Sequence, residues 1–328
     1  MDDVVRVGTV EAGPGEKQFG YLTVVERPVT DVRMPVGIIN SGRPGPRVVI
    51  SAGIHGSEYP GIEAANRLWR GLTPDTIHGV VVMFPLVNVP GFEAAEANVN
   101  PLDHINLNRI FPGDPHGSPS MVMANRLVEE VSKVAEYVLD LHGGDTTEWL
   151  DPFAIWFRSG NDEVDQKSQR LAEMYDTKHI WITSGKYGYP GTFSGELARR
   201  GIPSVVCEAG FMGTYREEEI TQHVRGVTNI FKDIGTLEGE PESVHEQPAR
   251  VFEENFTVAT TRGGTMHPRV FPSEAITKGQ VLAEIKNIEG DVVEELVAPA
   301  DGVVRVLFPR RVVGTGSIVY RGWVTSAS

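Results

Sequence analysis

Two histidines and a glutamate carry the strongest chemical signal in this sequence. His55 and Glu58 stand three residues apart in SAGIHGSEYPG, and His142 closes YVLDLHGG. An imidazole and a carboxylate at that spacing, on a turn containing Gly56, can converge on one cation with Zn–N near about 2.0–2.1 Å and Zn–O near about 2.0–2.2 Å. A second imidazole completes a His, Glu, His set with one coordination position open, which is the catalytic zinc pattern and not the structural one. The expectation is one Zn2+ per chain. Asp140, two residues before His142 on the same face of a strand, is placed to orient that imidazole.

A zinc site that activates water needs a base. PSVVCEAG presents Glu208 at a strand end before a glycine, where a carboxylate in a partly dry crevice can take a proton from water and return it to a leaving amine. Cys207, one residue earlier, points to the opposite face and reads as core. The polar segment NPLDHINLNRIFPGD lies between regular elements and reads as a functional loop. Within it Asn108 and Arg109 either clamp a substrate carboxylate, through the paired donors of the guanidinium and the neighbouring amide, or bond local backbone. Of the other histidines, His104 and His116 flank this loop; none has a comparable placement at a strand end.

The elements that must hold these groups alternate. RVVISAG (47–53) and GVVVMFPLV (79–87) read as buried strands, and YPGIEAANRLWRGL (59–72) between them has the helical spacing of Ile62, Ala65, Leu68 and Trp69. A helix within SPSMVMANRLVEEVSKVAEYV, with Ser118 or Ser120 as N-cap, leads into YVLDLHGG. Further helices are expected over 162–176, within 191–201 and over 217–233, with strands HIWIT (179–183) and IPSVVCEAG (202–210). Strand and helix in alternation make an α/β fold with a mainly parallel sheet, and ligands of such sheets gather at the carboxyl ends of the strands. His55, His142 and Glu208 all fall there. The acidic, turn-rich TLEGEPESVHEQ (236–247) reads as a linker, so the chain is expected to divide into an α/β part over 1–240 and a small all-β part over 241–328.

The chain has 328 residues, enough for one large domain and a smaller one, and carries a formal net charge of −14. That charge disfavours nucleic acid as a partner, because phosphate-backbone affinity comes from clustered Lys and Arg. The lone cysteine excludes an internal disulfide, no apolar run reaches the roughly 20 residues of a membrane span, and the start MDDVVRVGTVEAG lacks the order of a secretory signal. A cytoplasmic protein is expected.

Taken together, SAGIHGSEYPGIEA, NLNRIFPGD, LDLHGG and CEAG resemble the succinylglutamate desuccinylase and aspartoacylase family, itself similar to the zinc carboxypeptidases, over about residues 45–235. The resemblance implies a zinc-carboxypeptidase-like mixed sheet flanked by helices, with His55, Glu58 and His142 on zinc, Glu208 as general base, and Asn108 and Arg109 on a substrate carboxylate. It departs at two places. Asn106 stands where many members have an acidic residue, and Pro101 stands where they carry an arginine that polarises the scissile carbonyl. A divergent branch acting on another N-acyl amino acid, such as an N-acetyl diamino acid, is therefore expected, with a carboxypeptidase of short peptides and a non-catalytic binding protein as the alternatives. The C-terminal ITKGQVLAEIKNIEGDVVEELVAPADGVVRVLF resembles a biotinyl or lipoyl carrier module. The position of the modified lysine there is Asp291, and Lys286 is misplaced, so this part reads as a cover for the site or an oligomer contact.

Overall fold

The computed structural model describes residues 4–184 and 190–325. The loop SGKYGYPG, expected to bear on specificity, lies largely outside the described residues. At the centre is a nine-stranded mixed sheet in the order Arg250–Phe252, His179–Thr183, Phe153–Phe157, Ser204–Glu208, Tyr137–His142, Arg47–Ala52, Val80–Phe84, Val32–Asn40, Glu16–Val25. The strands at 47, 80, 137 and 204 run parallel, as their alternation with helices demands, whereas Phe153–Phe157 pairs antiparallel with Ser204–Glu208. Glu16–Val25 and Val32–Asn40 add an antiparallel edge, Val32–Asn40 pairing with Val80–Phe84. The sheet is thus mixed, and Arg250–Phe252, beyond the linker, completes its far edge in parallel with His179–Thr183.

The parallel strands are apolar on both faces because both are covered. One face packs Val49, Val82 and Val138 against Met123, Leu127 and Val131 of helix Pro119–Val134. The other packs Ile50, Leu139, Val205 and Cys207 against Ile62, Ala65 and Leu68 of helix Tyr59–Gly71 and Ile220, Val227 and Phe231 of helix Glu217–Asp233. Cys207 is therefore core, as its strand parity requires. Ser118 holds the N-cap position of helix Pro119–Val134, yet the orphan N–H is satisfied by another residue. Asp103 accepts from Ser120 N at 2.8 Å and from the hydroxyls of Ser118 and Ser120 at 2.6 Å each, so the cap comes from the polar loop itself.

The C-terminal residues build two antiparallel sheets around a core of Leu282, Ile285, Leu296, Val304, Val319 and Tyr320. They are tied to the α/β part by strand pairing as well as by packing: Trp149–Leu150, which is not in the large sheet, joins Gly302–Leu307, with Leu150 opposite Val306. A cluster of Leu150, Phe153, Ile155, Trp181, Phe252, Val303, Val306 and Trp323 seals the junction. No helix among the described residues is long and apolar enough to cross a membrane.

Candidate active site

The chain leaves strand Arg47–Ala52 through Gly53, at φ +65°, and turns into helix Tyr59–Gly71. Gly56 sits in that turn where a Cβ would overlap the backbone of Gly91 and Phe92, so no other residue fits. The turn delivers His55 and Glu58 to the strand ends, with Glu58 itself at the helix N-cap, where the helix dipole favours a carboxylate. His142 arrives from the neighbouring strand, and Gly143 N donates to Glu58 Oε2 at 3.1 Å.

His55, Glu58 and His142 are buried together, with their ligand atoms within 4.8 Å of one another. The Nδ1 atoms of both imidazoles face Glu58, His55 Nδ1 at 2.7 Å from Oε1 and His142 Nδ1 at 2.8 Å from Oε2. The far nitrogens have acceptors of their own. Asn106 Oδ1 lies 3.1 Å from His55 Nε2, and Asp140 Oδ2 lies 3.0 Å from His142 Nε2. Asp140 is in turn fixed by Ser51 Oγ at 2.7 Å. Oxygen acceptors at both Nε2 positions can hold protons there, so that a metal need displace only protons at the two Nδ1 atoms facing Glu58, the arrangement of metal-binding imidazoles with outer hydrogen-bond partners. The donor set, its convergence and its outer acceptors fit a metal ion.

The electrostatics agree. Burial alone would push the Glu58 carboxyl up, but the facing imidazoles of His55 and His142 outweigh it and bring it down to about 2. Burial opposes a charge on His142, yet Asp140 and Glu58 raise its pKa well above the usual imidazole range. The proton on His142 offsets the charge of Asp140 and Glu58 where a cation otherwise would.

A cavity opens beside this cluster, lined by Glu208, Glu148, Asn108, Arg109, Thr183, Thr192, Trp181 and, from the C-terminal strands, Arg305 and Arg321. Burial pushes the Glu208 carboxyl up, the His142 charge offsets part of that, and it settles at about 8. Glu148 is also raised, by burial and then by Glu58. Behind Glu208, His223 Nε2 donates to the Ala209 carbonyl at 3.1 Å, holding the strand end. Asn108 Oδ1 accepts from Phe193 N at 2.9 Å, which ties the loop to the start of helix Phe193–Arg199 and leaves the amide NH2 on the cavity side. That NH2 is 3.4 Å from His142 Nε2; with the Nε2 proton given to Asp140 the two do not bond. Arg109 is exposed at the cavity mouth, its Nη1 donating to Asn108 O at 2.6 Å.

All six residues singled out from the sequence thus line one cavity. His104 and His116 are exposed and outside its lining. Glu148, Trp181, Arg305 and Arg321 are additions. The available signal for Arg305 was a lone charge within the otherwise apolar GVVRVL.

A family model for the succinylglutamate desuccinylase/aspartoacylase catalytic domain matches residues 44–234. The chain belongs to that family. It is 29% identical over 277 residues, covering 83% of this chain and 80% of the relative, to the N-alpha-acetyl-L-2,4-diaminobutyric acid deacetylase of Halomonas elongata. A crystal structure of a succinylglutamate desuccinylase/aspartoacylase from Rhodobacter sphaeroides superposes with a TM-score of 0.84 at 27% identity, covering 94% of this chain and 95% of that one. The product-bound ectoine utilization protein EutE (DoeB) of Ruegeria pomeroyi shares the fold, with a TM-score of 0.88 at 20% identity over 99% and 100% of the two chains. The family's deacylases support an enzyme that hydrolyses N-acyl amino acids.

Proposed function

We propose that this protein is a zinc-dependent deacylase of N-acetyl diamino acids, cleaving the acyl amide with Glu208 as general base. The observation that carries the reading is the convergence of His55 Nδ1, His142 Nδ1 and the Glu58 carboxylate at the wall of a cavity that also holds Glu208. A Zn2+ held by those three residues supplies Lewis-acid polarisation of a carbonyl and a water of lowered pKa.

The protein's own groups do the rest. The ionised Glu208 carboxylate accepts a proton from water, and the resulting acid returns it to the nitrogen as the amide C–N bond breaks and a C–O bond takes its place. Burial suits the group to both halves, because a carboxyl raised towards neutrality is a stronger base towards water than an ordinary glutamate and, once protonated, still a stronger acid than the ammonium it helps to form. Asn108, through its NH2, and Arg109, at the mouth, hold the substrate's α-carboxylate. Glu148, in the same lining, offers a second carboxylate for the side-chain ammonium of a diamino acid. The same reading divides the chain into a catalytic part over 1–240 and a covering β part over 241–328, with Arg250–Phe252 returning to the large sheet.

The test is turnover of acetyl, succinyl and formyl amino acids, diamino acids among them, against short peptides, with zinc content measured on the same samples. Release of acetate from an N-acetyl diamino acid by zinc-loaded protein, and loss of it on chelation, is the expected result. Cleavage of peptides alone makes the protein a carboxypeptidase; no zinc and no turnover removes the enzymatic reading.

A further inference from the structure

Arg305 is buried at 4% exposure on the inner strand Gly302–Leu307 of the C-terminal sheet, an expensive place for a guanidinium. The backbone makes special provision for it. Val304 pairs with Gly322 and Val306 with Arg321, so Arg305 is the extra residue of a β-bulge, the device by which a strand re-aims one side chain. The bulge lies where Trp149–Leu150 of the α/β part pairs with the same strand, Leu150 opposite Val306. The guanidinium sits 4.1 Å over the Trp181 ring, with Phe153 at 5.8 Å and Trp323 at 5.9 Å, and it lines the same cavity as His55, Glu58, His142 and Glu208. Aromatic faces on several sides fix its plane.

Three arginines line the cavity; half-buried Arg321 acts on Glu148, and the other two lie at different depths. Arg109 is exposed at the mouth, whereas Arg305 is at the interior wall. An N-acyl amino acid also carries two kinds of oxygen, a carboxylate that is anionic throughout and an acyl carbonyl that gains charge only as water adds. A permanent anion keeps part of its hydration at the exposed Arg109. The carbonyl, which must lie beside both the metal ligands and the base, is the group at the depth of Arg305. Its field reaches that depth, since it is among the charges that pull the Glu208 carboxyl back down against burial. A preset cation aimed at charge that develops in a water-poor site is the most effective use of a buried guanidinium.

Resting on the deacylase reading above, we propose that Arg305, delivered by the bulge from the C-terminal β part, is the cation that faces the acyl carbonyl oxygen and stabilises its developing charge. The C-terminal β part is then a contributor to the reaction centre and not merely its cover. Proton and bond changes are unaltered by Arg305, which neither gains nor loses a proton.

The experiment compares Arg305→Met, Arg305→Lys and Arg305→Ala with the parent, at matched zinc content and with the melting temperature of each measured, on an N-acetyl amino acid that the parent hydrolyses. Methionine keeps an apolar stem against Trp181. The expected result is a kcat lower by about 100-fold or more in Arg305→Met with KM within about threefold, as for loss of one oxyanion donor. Added guanidinium, below denaturing concentration, should restore about tenfold in Arg305→Ala and do nothing for the parent, and Arg305→Lys should lie between. A rise in KM at unchanged kcat would place Arg305 on the carboxylate instead. Near-parental activity of Arg305→Met, or a loss that tracks the melting temperature and is not rescued, overturns the proposal as well. An inactive parent defeats the deacylase reading itself, and with it this one; an active parent with active Arg305→Met defeats this one alone.

Discussion

Glu208→Gln isolates the base from everything else in the cavity. Glutamine keeps the volume and one acceptor oxygen but cannot take a proton, so the metal ligands and the Arg305 stack are undisturbed. A positioned general base contributes about 10²–10⁴ in rate, so kcat/KM should fall by that factor, about 3–5 kcal/mol of barrier. The pH profile carries the sharper test. Glu208 must be ionised to accept a proton, so the rate rises with pH through its pKa and is lost on the acid side. Burial places that pKa at about 8 in the metal-free cavity. A divalent cation nearby favours the carboxylate, so the acid limb of the zinc enzyme should lie below pH 8 and vanish in Glu208→Gln. The assay is steady-state acetate release from pH 5 to 9, with zinc quantified per chain and Glu148→Gln run alongside, because Glu148 is the other raised carboxyl in the cavity. A Glu208→Gln enzyme that keeps more than about a tenth of kcat/KM, or keeps the acid limb, removes Glu208 from the role.

His142→Ala should lose both zinc and turnover, in contrast to Glu208→Gln, as metal analysis after dialysis will show. Because His142 holds its proton tightly when no metal is present, zinc binding should release protons and weaken as pH falls through the raised His142 pKa, above the ordinary imidazole range, measurable by titration calorimetry in two buffers of different ionisation enthalpy. Gly56→Ala should displace the turn that carries His55 and Glu58 and cost about tenfold or more in zinc affinity, since the new methyl meets backbone at Gly91 and Phe92; parental affinity would show that this turn yields. His179, buried beside Phe252 and Trp323, is held neutral by burial with a pKa lowered to about 4. A depressed imidazole contributes stability that is complete above about pH 6.5 and lost as pH falls towards 4, so His179→Phe should gain about 3 kcal/mol relative to the parent between pH 7 and pH 4 in urea unfolding.

The reaction elements were legible because their chemistry coincides with local grammar. His142 and Glu208 end short apolar strands and His55 and Glu58 lie on the turn after another, with Gly56, Gly143 and Gly210 close by, and a parallel sheet places such strand ends on one rim. Cys207 and Glu208 separate to opposite faces by strand parity alone. What was not legible depends on pairing across long separations. Nothing local to Phe153–Phe157 indicates that it runs antiparallel to Ser204–Glu208, and nothing in the linker indicates that Arg250–Phe252 returns to the large sheet. The cap of helix Pro119–Val134 was assigned to its own serines, which are the usual candidates, but Asp103 from a separate loop takes the N–H and both hydroxyls. Arg305 was hidden for the same reason: a bulge is a property of two strands, and only the pairing of Gly302–Leu307 with Ile318–Val324 reveals it.

The cavity also explains why the C-terminal strands are joined so firmly to the rest. Glu58, Asp140, Asp145, Glu148 and Glu208 crowd one strand-end rim, and burial with mutual repulsion raises Asp145, Glu148 and Glu208 together. Covering such a rim with apolar strands alone would leave those carboxyls protonated and useless as bases at neutral pH. Covering it with strands that carry Arg305 and Arg321 brings compensating charge, since Arg305 acts on Glu208 and Arg321 on Glu148. Stability would be served better by an apolar residue at 305, because buried ion arrangements repay their desolvation poorly. A bulge that spends a ladder position to aim a guanidinium at the reaction cavity, stacked on Trp181, is therefore better accounted for by chemistry than by folding. It follows that the lone charge in an apolar C-terminal strand lines the same cavity as His55, Glu58, His142 and Glu208, although it lies outside the segment that the family's catalytic model matches.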